Sequence, residues 1–135
     1  RFTMDKLSMI QKRENLNEVY AGEKGCGGAS HDYVIVKAGK ARVNEEDGSL
    51  VIEPDAIIEA LHFQEGPRKD PNSLDGVTDQ DLLEIVRDRL RGFSTGDMPT
   101  RETALALTHV ETALLWLSKR IEDRIERNVL GTYEK

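Results

Sequence analysis

The spacing of hydrophobic positions changes character halfway along the chain. Between residues 33 and 64 they fall in short β-branched clusters: Tyr33-Val34-Ile35-Val36-Lys37, then Ser49–Ile52, then residues 56–64. Short β-branched runs bounded by turn residues predict strands. Ala38-Gly39 predicts a turn after the first run, with residues 40–43 pairing back onto it. Asn44–Gly48 is a polar turn, and Pro54 ends the next strand. Residues 56–64 fit two periods. Ile57, Leu61 and Phe63 share a strand face, Ile57, Ile58 and Leu61 a helix face; we read the segment as a strand.

From residue 78 the apolar gaps become three and four. Leu82, Leu83, Val86 and Leu90 form a stripe opened by a Thr78/Asp81 capping box and closed by Gly92. Thr100 opens a longer stripe through Ala104, Leu107, Val110, Leu114, Leu117, Ile121 and Ile125, widened by Leu115 and Trp116 and ending near Asn128. At about 1.5 Å per residue this second helix spans roughly 40 Å. A link over residues 93–99 makes the two an antiparallel hairpin. The longer helix overhangs the shorter, and its apolar stripe continues there. That stripe needs cover from the sheet or from another subunit, which predicts an oligomer.

Residues 4–20 carry a weak helical period (Met4, Leu7, Ile10, Leu16, Tyr20) and predict a short helix or ordered arm. Four glycines in residues 21–30 exclude regular structure there, and Gly66-Pro67, Asp70-Pro71 and Asp75-Gly76 make residues 65–77 a loop. The expected fold is α+β: a small antiparallel β-sheet followed by a long antiparallel helical hairpin. An arm and sheet region fills residues 1–64 and a hairpin region residues 65–135, within one compact domain.

Composition narrows the chemistry. The 135 residues hold 19 Lys plus Arg against 25 Asp plus Glu, for a net charge of −6. An acidic chain lacks the broad basic field that DNA, RNA or an anionic membrane requires, yet it can hold a small anion in a local arginine cluster. No apolar run approaches the roughly 20 residues of a membrane span. The single cysteine, Cys26, excludes an internal disulfide and fits a reducing cytosol, and with three scattered histidines it makes no closed zinc site.

Two features stand out as candidate chemistry. Arg120, Arg124 and Arg127 stand at i, i+4 and i+7, on one face of the long helix. Either they are a solvated face neutralised by Glu122, Asp123 and Glu126, or they form an anion site, for which the arginine fork suits phosphate. Phe93, just after Gly92, either plugs the base of the hairpin or offers a ring for a base to stack on, close to the phosphate-attracting N-terminus of the second helix. The glycine-rich stretch lacks the Gly-Lys-Ser/Thr ending of a phosphate loop. Ser30-His31-Asp32 holds triad residue types, but three consecutive residues cannot form a relay. His62 and His109 read as structural. Nothing in the sequence specifies a catalyst, a metal or a cofactor.

The hairpin carries a resemblance. Leu61-His62-Phe63-Gln64-Glu65-Gly66-Pro67 is followed by Asp75-Gly76-Val77-Thr78, Asp88-Arg89-Leu90-Arg91-Gly92-Phe93 and Arg101-Glu102-Thr103-Ala104-Leu105-Ala106-Leu107-Thr108. Then come Ala113-Leu114-Leu115-Trp116-Leu117, Arg120-Ile121-Glu122-Asp123-Arg124 and Val129-Leu130-Gly131-Thr132. In order and spacing this series resembles the phage Thoeris anti-defence (Tad) sponge family, whose hairpin domain is shared with phage anti-CBASS sponges. Gly27–Tyr33 is similar to the segment that enters the small sheet of these proteins.

The resemblance implies a non-enzymatic sponge acting in the cytoplasm of the infected bacterium. It would sequester cyclic nucleotide immune signals: glycocyclic ADP-ribose isomers from TIR enzymes and, in some members, cyclic oligonucleotides from cGAS-like enzymes. It also implies dimers and hexamers. Carried over by motif, the stacking aromatic of the ADP-ribose-type site falls on Phe93 and its polar partner on Thr103, with Arg101 beside them. The family has Asn at the polar position; Thr keeps a hydroxyl and loses the two-way hydrogen bonding of an amide. The arginines of the cyclic oligonucleotide site fall on Arg120 and Arg124. Two other classes of reading stay open: an oligomeric structural or protein-binding module, and an enzyme that degrades such signals.

Overall fold

A computed structural model describes residues 3–135. The chain forms two compact units: one runs to Glu65 and includes Leu74–Gly76, the other comprises Gly66–Ser73 and Val77–Lys135. The first is the expected antiparallel sheet and the second contains the two expected helices.

Four strands form the main sheet: β1 (Asp5–Lys6), β2 (Asn17–Ala21), β3 (Asp32–Lys37) and β6 (Ile57–His62), in the order β1-β2-β3-β6. All pairs are antiparallel, with Val19 opposite Ile35 and Tyr33 opposite Leu61. The register of β3 against β6 shifts between Ile35 and Val36. The remaining strands, β4 (Ala41–Val43) and β5 (Leu50–Ile52), pair only with each other, as a two-stranded ribbon. Tyr20, Val36, Leu50 and Ala56 are the buried core, with Val36 fully enclosed. Met4, Val34, Ala41 and Ile52 pack around them. The ribbon thus reaches the core through Leu50 while keeping its hydrogen bonds to itself.

Three expectations for this unit are corrected. Of the two readings of residues 4–20, the short helix fails and the segment is an ordered arm: Asp5 and Lys6 pair with Ala21 and Tyr20. Burial of Tyr20 decides the conformation, because a strand puts its ring in the core while the weak helical stripe had nothing to bury against. Residues 40–43 do not pair back onto β3, whose two edges are already taken by β2 and β6. The glycine-rich connector is not wholly irregular: Cys26–Gly28 form a 3-10 turn, with left-handed Gly27 and Gly28, and Lys24 bridges Ser30. The ambiguous 56–64 segment is a strand over Ile57–His62, as read.

In the second unit, α1 spans Asp79–Thr95 and α2 spans Arg101–Glu126. The capping box of α1 is complete: Thr78 Oγ1 accepts from Asp81 N at 3.2 Å and Asp81 Oδ2 accepts from Thr78 N at 2.9 Å. Thr100 caps α2 by accepting from Thr103 N at 3.1 Å. The two helices are clasped by Arg87, whose Nε donates to Glu111 Oε2 at 2.8 Å. Gly92 does not end α1; the helix runs on to Thr95 and stops at Gly96. Gly in a helix interior costs about 1 kcal/mol relative to Ala, which is too little to stop a helix continued by Phe93, Ser94 and Thr95. Phe93 is therefore helical and not part of the link.

Neither helix buries an apolar residue, and the one buried residue among their described positions is Arg124. Ile85, Val86, Leu105, Leu115, Trp116 and Ile125 are all more than 40 % exposed, Leu115 and Trp116 about 70 %. Val86 and Ile125, expected on the buried stripes, lie on this open surface.

Candidate functional site

Three arginines stand at the C-terminal end of α2. The carbonyl end of a helix favours cations, which lets several collect there with little local penalty. Arg120 is exposed, Arg124 is buried, and Arg127 is the C-cap residue. Asp123, the carboxylate best placed by sequence to neutralise the stripe, pairs instead with Lys119 at 2.9 Å. That hydrogen bond raises the Lys119 pKa above the usual lysine range. Among the described residues, no carboxylate forms an ion pair with Arg120, Arg124 or Arg127. The acidic residues of the helix thus make no direct ion pair with the stripe, although Asp123 stands in the same cavity.

Arg124 is 7 % exposed and uses its fork on backbone carbonyls. Nη1 donates to Glu134 O at 2.6 Å, and Nη2 donates to Val129 O at 3.0 Å and Thr132 O at 3.2 Å. Carbonyls satisfy the donors and leave the positive charge uncancelled. A cavity of about 370 Å³ opens beside it, lined by Trp116, Lys119, Arg120, Asp123, Arg124, Arg127 and Lys135, so that one carboxylate stands among five cations. Trp116 is 67 % exposed and lies one turn before Arg120. An aromatic face beside several cations is a pairing that suits a base and its phosphates.

A second group of candidates borders the turn between the helices. Phe93 is half exposed in the last turn of α1, and the Arg89 guanidinium lies 5.5 Å from its ring centroid. Such a contact contributes about 0.5–1 kcal/mol at an exposed site and holds the ring in place. Thr103 is the third residue of α2, and its Oγ1 lies 2.9 Å from Thr100 Oγ1, within hydrogen-bond reach. Arg101 is exposed in the first turn of the same helix, where the dipole disfavours a cation, so helix stability does not explain it. The structure thus places Arg120 and Arg124 on one cavity, and Phe93, Thr103 and Arg101 on the two helix ends that border Gly96–Thr100.

Sequence reasoning passed over Arg89, Trp116 and Lys135. Arg89 was findable, at i−4 from Phe93, once α1 was carried through Gly92. Trp116 was read only as part of the apolar stripe. Lys135 had no sequence signal, since a backbone reversal after α2 brings it to the cavity.

The other polar groups singled out in the sequence bond locally within the sheet unit. His62 Nδ1 lies 2.8 Å from Asp32 Oδ1, across the β3–β6 pair, and the His31 ring is bonded to Cys26 O at 2.9 Å. Ser30 Oγ donates to Gly22 O at 2.8 Å, away from either histidine. No group of three metal-ligating side chains occurs among the described residues, and no described helix is long and apolar enough to cross a membrane.

Comparison with known proteins places this geometry. A family model described as the Acb2/Tad1 hairpin domain matches residues 59–122. Thoeris anti-defense 1 of Bacillus phage SBSphiJ7 is 34 % identical over 116 residues, covering 79 % of this chain and 81 % of that protein. The aligned length takes in much of the sheet unit as well as the hairpin, and on these grounds the chain belongs to the phage Thoeris anti-defence family.

Proposed function

We propose that the chain is a phage anti-defence sponge, working in the cytoplasm of the infected host, that binds cyclic nucleotide immune signals and withholds them from host effectors without cleaving them. The observation that carries the reading is the set of arginines at the end of α2, unpaired with carboxylates and beside an exposed tryptophan. The helix end tolerates this charge, and Arg124 also holds the tail, but no carboxylate among the described residues pairs directly with these arginines, and a ligand with several phosphates would complement them.

Two sites divide the work. At the ADP-ribose-type site, for glycocyclic ADP-ribose isomers, Phe93 stacks on a base with Arg89 steadying its ring. Thr103 donates a hydroxyl hydrogen bond, and Arg101 with the free N–H groups of α2 attracts phosphate. At the cyclic oligonucleotide site, Arg120 reaches phosphate directly and Arg124 supplies an uncancelled charge at the cavity wall. The exposed apolar surface of the hairpin supports self-association as dimers and hexamers, which would bring copies of the arginine cluster together. No catalytic step or cofactor is part of the proposal, and the net charge of −6 argues against polymeric DNA or RNA as the partner.

Isothermal titration calorimetry with a panel of glycocyclic ADP-ribose isomers and cyclic di- and trinucleotides tests the reading. Saturable binding of at least one member supports it. A stable oligomer that binds none of them would favour the structural module instead, a reading to which the open apolar face of α2 also lends itself.

A further inference from the structure

The segment after α2 does more than terminate the chain. Asn128 and Gly131 both take left-handed backbone, with φ 58° and 80°, and these two residues turn the chain back on itself. Arg124 grips the returning segment through three carbonyls, at Val129, Thr132 and Glu134. A second anchor lies on the far side: Tyr133 Oη donates to Asp70 Oδ2 at 2.8 Å, and Lys69 N donates to Gly131 O at 3.3 Å. The result of both anchors is that Lys135 reaches the cavity lined by Arg120 and Arg127.

The chemistry of the grip is costly if its only purpose is to hold a tail. A buried guanidinium bonded only to neutral carbonyls keeps its full charge, and taking that charge out of water costs free energy that the three carbonyl bonds only partly offset. Asp123, the carboxylate in this cavity, is engaged by Lys119, so a charge kept buried beside Arg120 and Arg127 makes sense if it faces a further anion. We propose that residues 128–135 form one wall of the anion site, with Arg124 and Tyr133 as positioning residues that bring Lys135 in as a further phosphate-binding cation. The proposal rests on the reading of the α2 end as an anion site and adds a residue set to it.

The test is a titration with cyclic triadenylate, at low and at high salt, on the wild type, Lys135→Ala, Lys135→Arg, Tyr133→Phe, the Lys135→Ala/Tyr133→Phe double variant and Arg120→Ala. Lys135→Ala should weaken binding about fivefold at low salt and less at high salt, as loss of one partly exposed charge contact requires. Lys135→Arg should restore it. Tyr133→Phe, whose altered atom faces Asp70, should weaken binding in the wild type yet have no further effect in the Lys135→Ala background. If Lys135→Ala and Tyr133→Phe bind as the wild type does while Arg120→Ala loses the ligand, the wall is refuted and the anion site stands. Additive losses from the two single variants would refute Tyr133 as a positioning residue for Lys135. If the wild type takes up no cyclic triadenylate, the underlying reading and the wall fall together.

Discussion

Replacing Arg124 with alanine should separate two roles that the side chain combines. The substitution removes a guanidinium that is 7 % exposed and three hydrogen bonds of 2.6–3.2 Å to carbonyls. Hydrogen bonds to charged groups contribute about 1.5–3 kcal/mol each, so a simple sum would exceed 4 kcal/mol. The real loss is smaller, because Val129, Thr132 and Glu134 can turn their carbonyls to water by undocking the tail. The measured cost is therefore limited to the docking free energy of residues 128–135, which at about 1 kcal/mol net for each of roughly two hydrogen bonds is about 2 kcal/mol. Native-state hydrogen exchange reads this locally. The Val129 amide donates to Arg124 O and the Thr132 amide to Val129 O, both at or near 3 Å. Both should exchange roughly 30-fold faster in Arg124→Ala, the equivalent of about 2 kcal/mol, while amides in the middle of α2 keep their protection. Unchanged exchange at Val129 and Thr132 would refute the claim that Arg124 holds the tail. Equal acceleration throughout α2 would show that the arginine supports the helix as a whole.

Three other outcomes follow from the geometry. Phe93→Ala should weaken a glycocyclic ADP-ribose ligand by the about 1–3 kcal/mol of a lost base stack and spare a cyclic trinucleotide, while Arg124→Ala should do the reverse; equal loss of both ligands in paired calorimetric titrations would reject the two-site arrangement. Thr78→Ala removes one half of a complete capping box and should lower stability in urea by about 1 kcal/mol, with helix loss by circular dichroism confined to the start of α1. The hydrogen bond from Lys6 holds the Glu18 carboxyl below its ordinary value of 4.5. Its stabilising contribution is complete above pH 4.5 and is lost as pH falls through the lower folded-state value, so Glu18→Gln should flatten the acid limb of a stability–pH curve and leave its slope near neutrality unchanged.

The hairpin was the more legible half because its signals are local. A threonine with an aspartate three residues on, and apolar gaps of three and four, involve residues that touch within a turn or two. The boundary at Gly92 was misplaced because a glycine can mark a stop or a tolerated interior position, and its cost of about 1 kcal/mol does not decide between them. The sheet was harder to read. Whether residues 40–43 pair with β3 or with β5 depends on which edges of β3 are free, and that is fixed by β2 and β6, distant in sequence. Likewise Met4 and Tyr20 fit a helix in isolation, and only a core containing Val36 and Leu50 places Tyr20 in a strand with Met4 packed against it. At the candidate site, the register of Arg120, Arg124 and Arg127 was visible from spacing. The diversion of Asp123 to Lys119, the carbonyl partners of Arg124 and the return of Lys135 all depend on rotamers and on a reversal after the helix, which no periodicity encodes.

The central claim is sequestration: the ligand is held, and its bonds stay intact. The most direct measurement is to load the purified protein with a bound cyclic nucleotide, free it by heat denaturation, and identify the released species by mass spectrometry against a no-protein control. The account predicts recovery of the intact cyclic ligand in proportion to the protein loaded. Recovery of linear or hydrolysed product would contradict it and make the chain an enzyme.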